Sequence, residues 1–351
     1  MKAVLGVDGG NSKTYALIAD LDGCALGFAR DGGSNHERIG FAEAEVVLQR
    51  VTSESLTQAG VGSPVESGFW GLAGADVPSD FEALNAIVAR VGAAKDNVVE
   101  NDLCAAMAAG LSRRWGVGIV FGAGFSAGGI APDGREIKLP SMGAATGDWG
   151  GGGVLAMEVL RLAHRSYDGR GDASLLEECV PEVLGISSFE ELPARIRDES
   201  IDWDNALAEL PPLLFGAAAA GDKVARALVV RVGEEVGTTA QALIKRLGLQ
   251  DTDVEVVLGG SVFRGKGSLL LETVRAVVNE GAPRARVILP EFHPVVGAVF
   301  RALLHLGIEA DDRVRRNLRS TVPAELLDPR ETRELQDRSR SIEAADSSAT
   351  A

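Results

Sequence analysis

One short pattern occurs twice in this chain, and it constrains the fold more than any other feature. An apolar segment is followed by a glycine-rich turn, a second apolar segment and an Asp-Gly pair. In the first copy Gly9 precedes Asp22 by 13 positions, and in the second Gly122 precedes Asp133 by 11. Asp-Gly between apolar segments is a hairpin signal, so each copy predicts an antiparallel meander of strands. Two copies in one chain indicate a duplicated α/β domain.

The segments between and after these copies predict the other elements of an α/β fold. Apolar residues at helical spacing predict helices, and short apolar runs that end in polar or glycine-rich segments predict single strands. In chain order these are a helix at 41–59, a strand at 67–72, a helix at 81–91, a strand at 97–100, helices at 103–112 and 147–164, a helical region to 247, a strand at 254–258 and a helix at 294–306.

The length of 351 residues predicts two domains rather than one. We expect an N-terminal domain at 1–112 and a C-terminal domain at 113–309 that contains a helical insertion. Beyond residue 310 the apolar periodicity weakens, so 310–351 is predicted to be a polar, partly disordered tail.

Composition excludes several classes of function. The net charge of −15 argues against nonspecific binding to nucleic acid, and no apolar run approaches the length of a membrane span. Cys24, Cys104 and Cys179 form no C-x-x-C motif, which favours a reducing, cytoplasmic location. An anionic ligand remains possible, because a phosphate site is built locally from backbone N–H groups and a few cations.

The two glycine-rich turns differ from the common phosphate-binding motifs. GVDGGNSKT, at residues 6–14, fits neither the Walker A pattern nor G-x-G-x-x-G, and a strand rather than a helix follows it. FGAGFSAGG, at 121–129, contains G-x-G-x-x-A, but no helix opens directly after it and Glu136 comes too soon to be the ribose-binding acid. Two hairpin turns that face each other across a cleft would offer N–H groups to phosphates from both sides.

Taken in order, these two turns, the END sequence at 100–102 and LGGSVFRG at 258–265 resemble one superfamily. Residues 1–307 resemble the actin-like ATPases, which include sugar kinases, actin and heat-shock chaperone ATPases. Within them the chain is similar to N-acetylglucosamine kinases, grouped with the activator ATPases of benzoyl-CoA reductase and 2-hydroxyacyl-CoA dehydratases. The resemblance implies an α/β fold with two duplicated ribonuclease H-like domains, a central cleft, and ATP with Mg²⁺ as cofactors. It also implies that the helices after Asp102 and Pro294 cross closely through small residues.

The same resemblance implies which residues hold the nucleotide. Asp8 matches the acid that meets Mg²⁺, often through water. The other implied ATP contacts are Gly9, Gly10, Asn11, Ser12, Lys13 and Thr14 in the first phosphate loop, Gly122, Ala123 and Gly124 in the second, and Gly259, Gly260, Ser261 and Val262 in the adenosine motif.

A kinase also needs a proton acceptor near the attacking hydroxyl, and Asp102 is our candidate. It follows an apolar strand and precedes a helix, which places it at the strand's carboxyl end in an α/β cleft. The alternative is that Asp102 only caps the helix. In sugar kinases of the superfamily the matching Asp faces the sugar hydroxyl.

Two further segments resemble sugar-binding segments of N-acetylglucosamine kinases. SNHERIG, at 34–40, matches the stretch that touches the sugar, and GDWGGGG, at 147–153, matches a loop whose Asp binds sugar hydroxyls. The implied sugar ligands are Asn35, Gly147 and Asp148. His36 lies nearby, and a purely structural hydrogen bond is an equal alternative for it.

Three residues depart from the family pattern. Glu37 replaces an aromatic residue beside the sugar, Ala123 replaces the threonine of the second loop, and Trp149 replaces a glutamate after Asp148. Trp149 could supply a stacking face in place of the lost aromatic residue. These departures leave the identity of the sugar open.

The resulting hypothesis is a cytoplasmic, homodimeric ATP-dependent sugar kinase. It would phosphorylate an amino sugar, with N-acetylglucosamine and its primary hydroxyl as first candidates, and would bind neither nucleic acid nor membrane. The alternatives are an activator-type ATPase, which would need paired cysteines, a sugar-sensing repressor, which would need a DNA-binding extension, and a nonenzymatic nucleotide-binding protein. Asn35, Asp102 and Asp148 favour the kinase.

Overall fold

A computed structural model of the chain describes residues 1–265 and 267–327. The part up to residue 112 begins with an antiparallel meander and continues with alternating helices and parallel strands. Its elements are β1 (Ala3–Gly9), β2 (Lys13–Asp20), β3 (Ala25–Gly32), α1 (His36–Ile39), α2 (Phe41–Ala59), β4 (Val65–Leu72), α3 (Pro78–Val91), β5 (Ala94–Glu100) and α4 (Asp102–Gly110).

The rest of the described chain repeats this plan with a run of helices inserted after the meander. Its elements are β6 (Gly116–Phe121), β7 (Phe125–Ile130), β8 (Glu136–Lys138), α5 (Gly152–Tyr167), α6 (Leu176–Leu184), α7 (Leu192–Arg197), α8 (Trp203–Ala219), α9 (Lys223–Leu247), β9 (Glu255–Gly259), α10 (Leu269–Gly281), β10 (Arg286–Ile288), α11 (Pro294–His305) and α12 (Asp312–Thr321). Short 3-10 turns lie at Gly143–Thr146, Ser261–Arg264 and Ala324–Leu326. No helix of the described residues is both long and apolar enough for a membrane span.

The two sheets have the same topology. The first has the order β3-β2-β1-β4-β5, and the second, read from its other edge, has the order β8-β7-β6-β9-β10. In each sheet the three meander strands pair antiparallel with one another. The two remaining strands, β4 and β5 or β9 and β10, are parallel to each other and to the first meander strand. This repeated strand order confirms the duplicated α/β architecture that the two copies of the sequence pattern predict.

The second glycine turn is shorter than its sequence suggested. The sequence predicts a glycine-rich turn over FGAGFSAGG, at 121–129, whereas β7 begins at Phe125. Phe121 and Phe125 are paired residues of the β6–β7 ladder, so only residues 122–124 form the turn. The FSAG segment at 125–128 is part of the strand because its backbone continues the ladder with β6.

The chain divides into two compact units, and this division corrects the predicted domain limits. One unit contains Met1–Ser112 together with the chain from Pro290 onward, and the other contains Arg113–Leu289. The C-terminal domain therefore does not extend to residue 309, because α11 packs against β1 and α4 of the first unit. The predicted tail also begins with ordered structure, since Val314 and Leu318 of α12 are buried in the first unit's core. Residues 328–351 of that tail lie outside the described residues.

Backbone-to-backbone contacts hold α11 in the first unit. A Cβ atom on Gly6 of β1 would lie 2.6 Å from the backbone nitrogen of Val299. A Cβ atom on Gly297 of α11 would lie 2.0 Å from the carbonyl oxygen of Ala105 in α4. Both distances are shorter than any real contact, so only glycine permits this approach. The close crossing that the family resemblance implied for these two helices is present in the structure.

Substitution of Gly297 by alanine should therefore destabilise the protein. We expect Gly297→Ala to lower the free energy of unfolding by about 1–3 kcal/mol, because the added methyl group forces α11 away from α4. Gly216 of α8 is the matched control, since it is an exposed helical glycine and no atom lies within 4 Å of the place that a methyl group would take. Gly216→Ala should instead raise stability by up to about 1 kcal/mol through helix propensity. Urea denaturation of both variants measures the difference, and an unchanged Gly297→Ala protein would contradict the packing argument.

Candidate functional site

Two carboxylates meet at one edge of the first sheet. Asp8 lies near the carboxyl end of β1, and Asp102 is the first residue of the helix that follows β5. Gly71 of β4 lies between them: a Cβ atom there would be 3.5 Å from the Cα atom of Asp102 and 3.5 Å from the carbonyl oxygen of Val7. The carboxyl ends of parallel strands are the usual location of ligand sites in α/β sheets. The fold thus brings together the predicted metal ligand and the predicted base.

This pairing perturbs the ionisation of Asp8. Burial and, secondarily, the negative charge of Asp102 raise the pKa of Asp8 from 3.8 to about 8. The Nδ1 atom of His293 lies 3.6 Å from the Oδ2 atom of Asp8, and the His293 ring packs against Tyr15 at a centroid distance of 4.3 Å. Sequence reasoning missed His293. Its position directly before Pro294, at the cap of α11, is the only local signal that could have marked it.

The residues present fit a magnesium ion. Carboxylate oxygens are ligands that Mg²⁺ prefers, and proteins commonly supply only one or two of them while phosphates and water complete the shell. The negative charge of Asp102, which is the second cause of the raised pKa of Asp8 after burial, would also attract a cation to this position. Among the described residues no cluster of three or more His, Cys, Asp or Glu side chains could hold a metal. Phosphate oxygens of a bound ligand would therefore have to complete the coordination of an ion at Asp8.

Asn101, not Asp102, caps α4. The Oδ1 atom of Asn101 accepts a hydrogen bond from the backbone N–H of Leu103 at 3.1 Å, and its Nδ2 atom donates to Asp76 at 3.0 Å. Asp102 occupies the first turn of the helix itself. The alternative weighed for Asp102, that it serves as the helix cap, is therefore wrong. Asn101 and Asp76 are site neighbours that sequence reasoning did not identify.

The first glycine turn leaves donors available at its tip. The N–H of Gly10 donates to the carbonyl of Lys13 at 2.9 Å and closes the turn. Among the residues that the structure describes, the N–H groups of Asn11 and Ser12 donate to no protein acceptor. The side chain of Lys13 is exposed at the start of β2. An anion could bind at this tip without competing with the protein's own hydrogen bonds.

Two residues of the same loop pack against other parts of the first unit. Gly9 contacts Ser34, because a Cβ atom on Gly9 would lie 2.4 Å from the Ser34 hydroxyl. Thr14 is fully buried in β2, and its hydroxyl has no hydrogen-bond partner within the described chain. The expectation of a nucleotide contact by the Thr14 hydroxyl is not met in this conformation, because strand pairing turns the side chain into the core.

The segment that carries Asn35 and His36 packs on the first loop. Asn35 is buried, and its Oδ1 atom accepts from the N–H of Glu37 at 2.9 Å while its Nδ2 atom donates to the side chain of Asn11 at 2.7 Å. The His36 ring stacks on Phe41 and has its Nε2 atom 3.6 Å from Asp80. In the described part of the chain the Nδ1 atom of His36 has no hydrogen-bond partner. Both side chains thus have structural contacts beside their predicted sugar role.

In the second unit, three glycine segments meet around the second loop. The N–H of Gly122 donates to Gly124 at 3.0 Å, and the N–H of Gly152 donates to Gly122 at 2.7 Å. Gly260 has φ of 103°, and a Cβ atom there would lie 2.3 Å from the carbonyl oxygen of Phe121. Gly151 also has positive φ and contacts Ala123. The predicted second phosphate loop and adenosine motif are therefore adjacent, and the start of α5 borders the same loop.

The predicted sugar ligand of the second unit lies in a compact turn. Asp148 accepts a short hydrogen bond from the Thr146 hydroxyl, and its N–H donates to Gly143 at 3.1 Å. Gly147 precedes it with a positive φ of 81°. The guanidinium of Arg231 lies 4.0 Å from the centroid of the Trp149 ring. One face of the indole is therefore covered, and only its other face could serve as the stacking surface we expected.

The ionisation of Asp8 predicts how stability depends on pH in the absence of divalent cations. The folded protein keeps a proton on Asp8 up to about pH 8, whereas the unfolded chain releases it near pH 3.8. Stability should therefore fall as pH rises through this window, by at most ~1.4 kcal/mol per pH unit, and level off above it. Urea denaturation in EDTA between pH 5 and 9 measures the effect, with Asp8→Asn as the control that lacks it. A wild-type-minus-Asn difference that stays constant across this range would contradict the assignment.

The chain is similar to two kinases over most of its length. An N-acetylmuramic acid/N-acetylglucosamine kinase of Clostridium acetobutylicum is 28% identical over 303 residues, which cover 86% of this chain and 98% of that protein. An N-acetyl-D-glucosamine kinase of Dictyostelium discoideum is 25% identical over 315 residues, or 85% of this chain and 97% of its own length.

Structural and family comparisons point the same way. A crystal structure from Chromobacterium violaceum, assigned by inference as an N-acetylglucosamine kinase, aligns with a TM-score of 0.65 at 22% identity. The alignment covers 86% of this chain and 99% of that one, and it shows the shared fold. Residues 5–302 match the BadF/BadG/BcrA/BcrD ATPase family, which confirms the resemblance that the glycine loops indicated. This chain belongs to the BadF/BadG/BcrA/BcrD ATPase family.

Proposed function

We propose that this protein is an ATP-dependent kinase that transfers the γ-phosphate of Mg-ATP to a hydroxyl of an amino sugar. The observation that carries the proposal is the pair of Asp8 and Asp102 at one sheet edge, with Asp102 relieved of helix capping by Asn101. The names of the relatives from Clostridium acetobutylicum and Dictyostelium discoideum support an amino sugar as the acceptor. N-acetylglucosamine, phosphorylated at its primary hydroxyl, is the first candidate.

The phosphates of ATP would bind to backbone donors and a cation. In the first unit the N–H groups of Asn11 and Ser12 have no protein acceptor within the described chain, and Lys13 is exposed beside them. In the second unit Gly122 and Gly124 have open space at their Cβ positions, which suits close approach of a phosphate. The adenosine part of ATP is assigned to Gly259–Val262, whose backbone contacts the same loop.

Asp8 would hold the magnesium ion, and the ion would neutralise charge on the transferring phosphates. Asp102 would accept the proton of the attacking hydroxyl. A general base must lie within hydrogen-bond reach of that proton, and Asp102 lies at the sheet edge that also carries Asp8. The first turn of a helix also attracts negative charge, which suits an ionised carboxylate at this position.

In the first unit the sugar would be held by Asn35 and His36. The family resemblance also makes Gly147 and Asp148 candidate sugar ligands. The bond between Asn35 and Asn11 supports this assignment, since it ties the proposed sugar segment to the proposed phosphate loop. His36 keeps an unpartnered Nδ1 atom, as judged over the described residues, which suits a polar group of a ligand. We include in this proposal the cytoplasmic location that the cysteine pattern favours and the homodimer that the family resemblance implies.

A substrate screen tests the activity directly. We expect ADP release that depends on both Mg²⁺ and sugar when hexoses, hexosamines and N-acetylhexosamines are compared in a coupled assay. N-acetylmuramic acid belongs in the set, because the Clostridium relative is named for it. The highest kcat/KM should fall on an N-acetylated amino sugar. Sugar-independent ADP release, with every sugar inactive, would refute the kinase proposal in favour of a different ATPase.

Substitutions at Asp102 and Asn101 distinguish a role in catalysis from a role in helix capping. Asp102→Asn should lower kcat by ~10²–10⁴-fold, because the isosteric amide cannot accept the proton. Its thermal stability should stay close to that of the wild type. Asn101→Ala is the matched control, since loss of the cap should lower the free energy of unfolding by about 1 kcal/mol. Near-wild-type turnover by Asp102→Asn would show that Asp102 is not the base.

A further inference from the structure

Arg38 contacts the first glycine loop and has no role in the site described so far. Its Nη1 atom donates a hydrogen bond of 3.4 Å to the backbone carbonyl of Asn11. The residue is exposed, and within residues 1–265 and 267–327 its guanidinium forms no ion pair. An exposed arginine beside a turn with unused N–H groups is available to an anionic ligand.

The position of Arg38 relative to the loop is set by backbone packing. The N–H of Ser34 donates to the carbonyl of Gly10 at 3.1 Å. A Cβ atom on Gly33 would lie 2.2 Å from the carbonyl oxygen of Asn11, so the two chain segments touch backbone to backbone. Asn35 adds a side-chain hydrogen bond to Asn11 of 2.7 Å. The four-residue helix α1, which contains Arg38, is therefore attached to the loop at its start.

The local charges favour a cation at this position. Asp102 at the neighbouring sheet edge would repel a nucleotide, and the chain has a net charge of −15. Glu37 precedes Arg38, but its carboxylate lies 3.3 Å from the Nδ2 atom of Asn35. Lys13 and Arg38 are the cations that flank the loop. A transferring phosphoryl group needs such charge around its oxygens.

We propose that Arg38 is a catalytic residue whose guanidinium contacts the γ-phosphoryl group of ATP during its transfer. The inference rests on the proposed kinase function and on the proposed phosphate role of the first loop. Guanidinium presents five N–H donors in a planar fork, so one bond to Asn11 leaves donors for phosphate oxygens. Arg38 lies on the segment that carries the proposed sugar ligands and touches the loop proposed for phosphate. This position suits a group that acts where donor and acceptor meet.

The alternative source of an anion at Arg38 is a carboxylate on the acceptor sugar. N-acetylmuramic acid carries such a group and N-acetylglucosamine does not, so the two sugars distinguish the sources. A γ-phosphoryl contact predicts the same loss with both sugars. A carboxylate contact predicts a loss with the acidic sugar alone.

The experiment compares Arg38→Gln and Arg38→Lys with the wild type on both sugars. Arg316→Gln is the matched control, since Arg316 is an exposed arginine of the same unit on α12. We expect Arg38→Gln to lower kcat by ~10²–10³-fold on either sugar, with KM for the sugar changed by less than about threefold. Arg38→Lys should recover part of the rate, because it restores the charge without the fork. Arg316→Gln should leave kcat unchanged.

Nucleotide binding provides a readout that does not need turnover. We expect Arg38→Gln to weaken binding of a nonhydrolysable ATP analogue by about tenfold and to leave ADP binding unchanged, because ADP lacks the γ-phosphoryl group. This measurement would test Arg38 even if the sugar screen failed, so the two proposals can fail separately. Unchanged kcat, a loss confined to N-acetylmuramic acid, or equal weakening of ADP and the ATP analogue would overturn the proposal. If Arg38→Gln does not fold, the same comparisons apply to Arg38→Lys.

Discussion

The close contact of α11 with β1 and α4 is the constraint on which the rest of the first unit depends. Gly6 and Gly297 let the backbones of these three elements touch, and a methyl group at either position would overlap backbone atoms. Their ends consequently converge at one sheet edge, with Asp8 next to the end of β1, Asp102 starting α4 and His293 capping α11. A looser crossing would separate the two carboxylates, and their electrostatic coupling falls with distance.

This convergence has an electrostatic cost that a ligand can offset. Asp8 is largely withdrawn from water beside a second carboxylate, which raises its pKa to about 8. A divalent cation would replace the proton and remove the penalty. The net charge of the chain is strongly negative and would not attract a phosphate to the neighbouring site. Backbone N–H groups at Asn11 and Ser12 and the exposed Lys13 and Arg38 would create the local attraction for an anion.

The two units share a topology but not a chemistry. The strand before the glycine turn carries Asp8 next to its end in the first sheet, whereas the corresponding strand of the second sheet, β6, has no carboxylate and ends at Phe121. Phe121 is fully buried and packs edge-on against Phe125 and Phe263. The second loop is instead surrounded by the glycine segments around 151 and 260, which leave room for backbone contacts with a ligand. The same sheet topology therefore carries carboxylates beside the glycine turn in the first unit and glycine segments beside it in the second.

The sequence by itself determined the duplicated α/β fold, the two glycine turns and the candidates Asp8 and Asp102, because each is marked by residues close together in the chain. Tertiary structure alone decided that α11 belongs to the first unit, that Asn101 is the cap of α4, and that Thr14 is turned into the core. It also decided that His293 lies beside Asp8 and that Arg38 touches Asn11. The physical reason is that local patterns report backbone preferences and periodic burial, whereas contacts between distant segments depend on how closely helices and strands can pack.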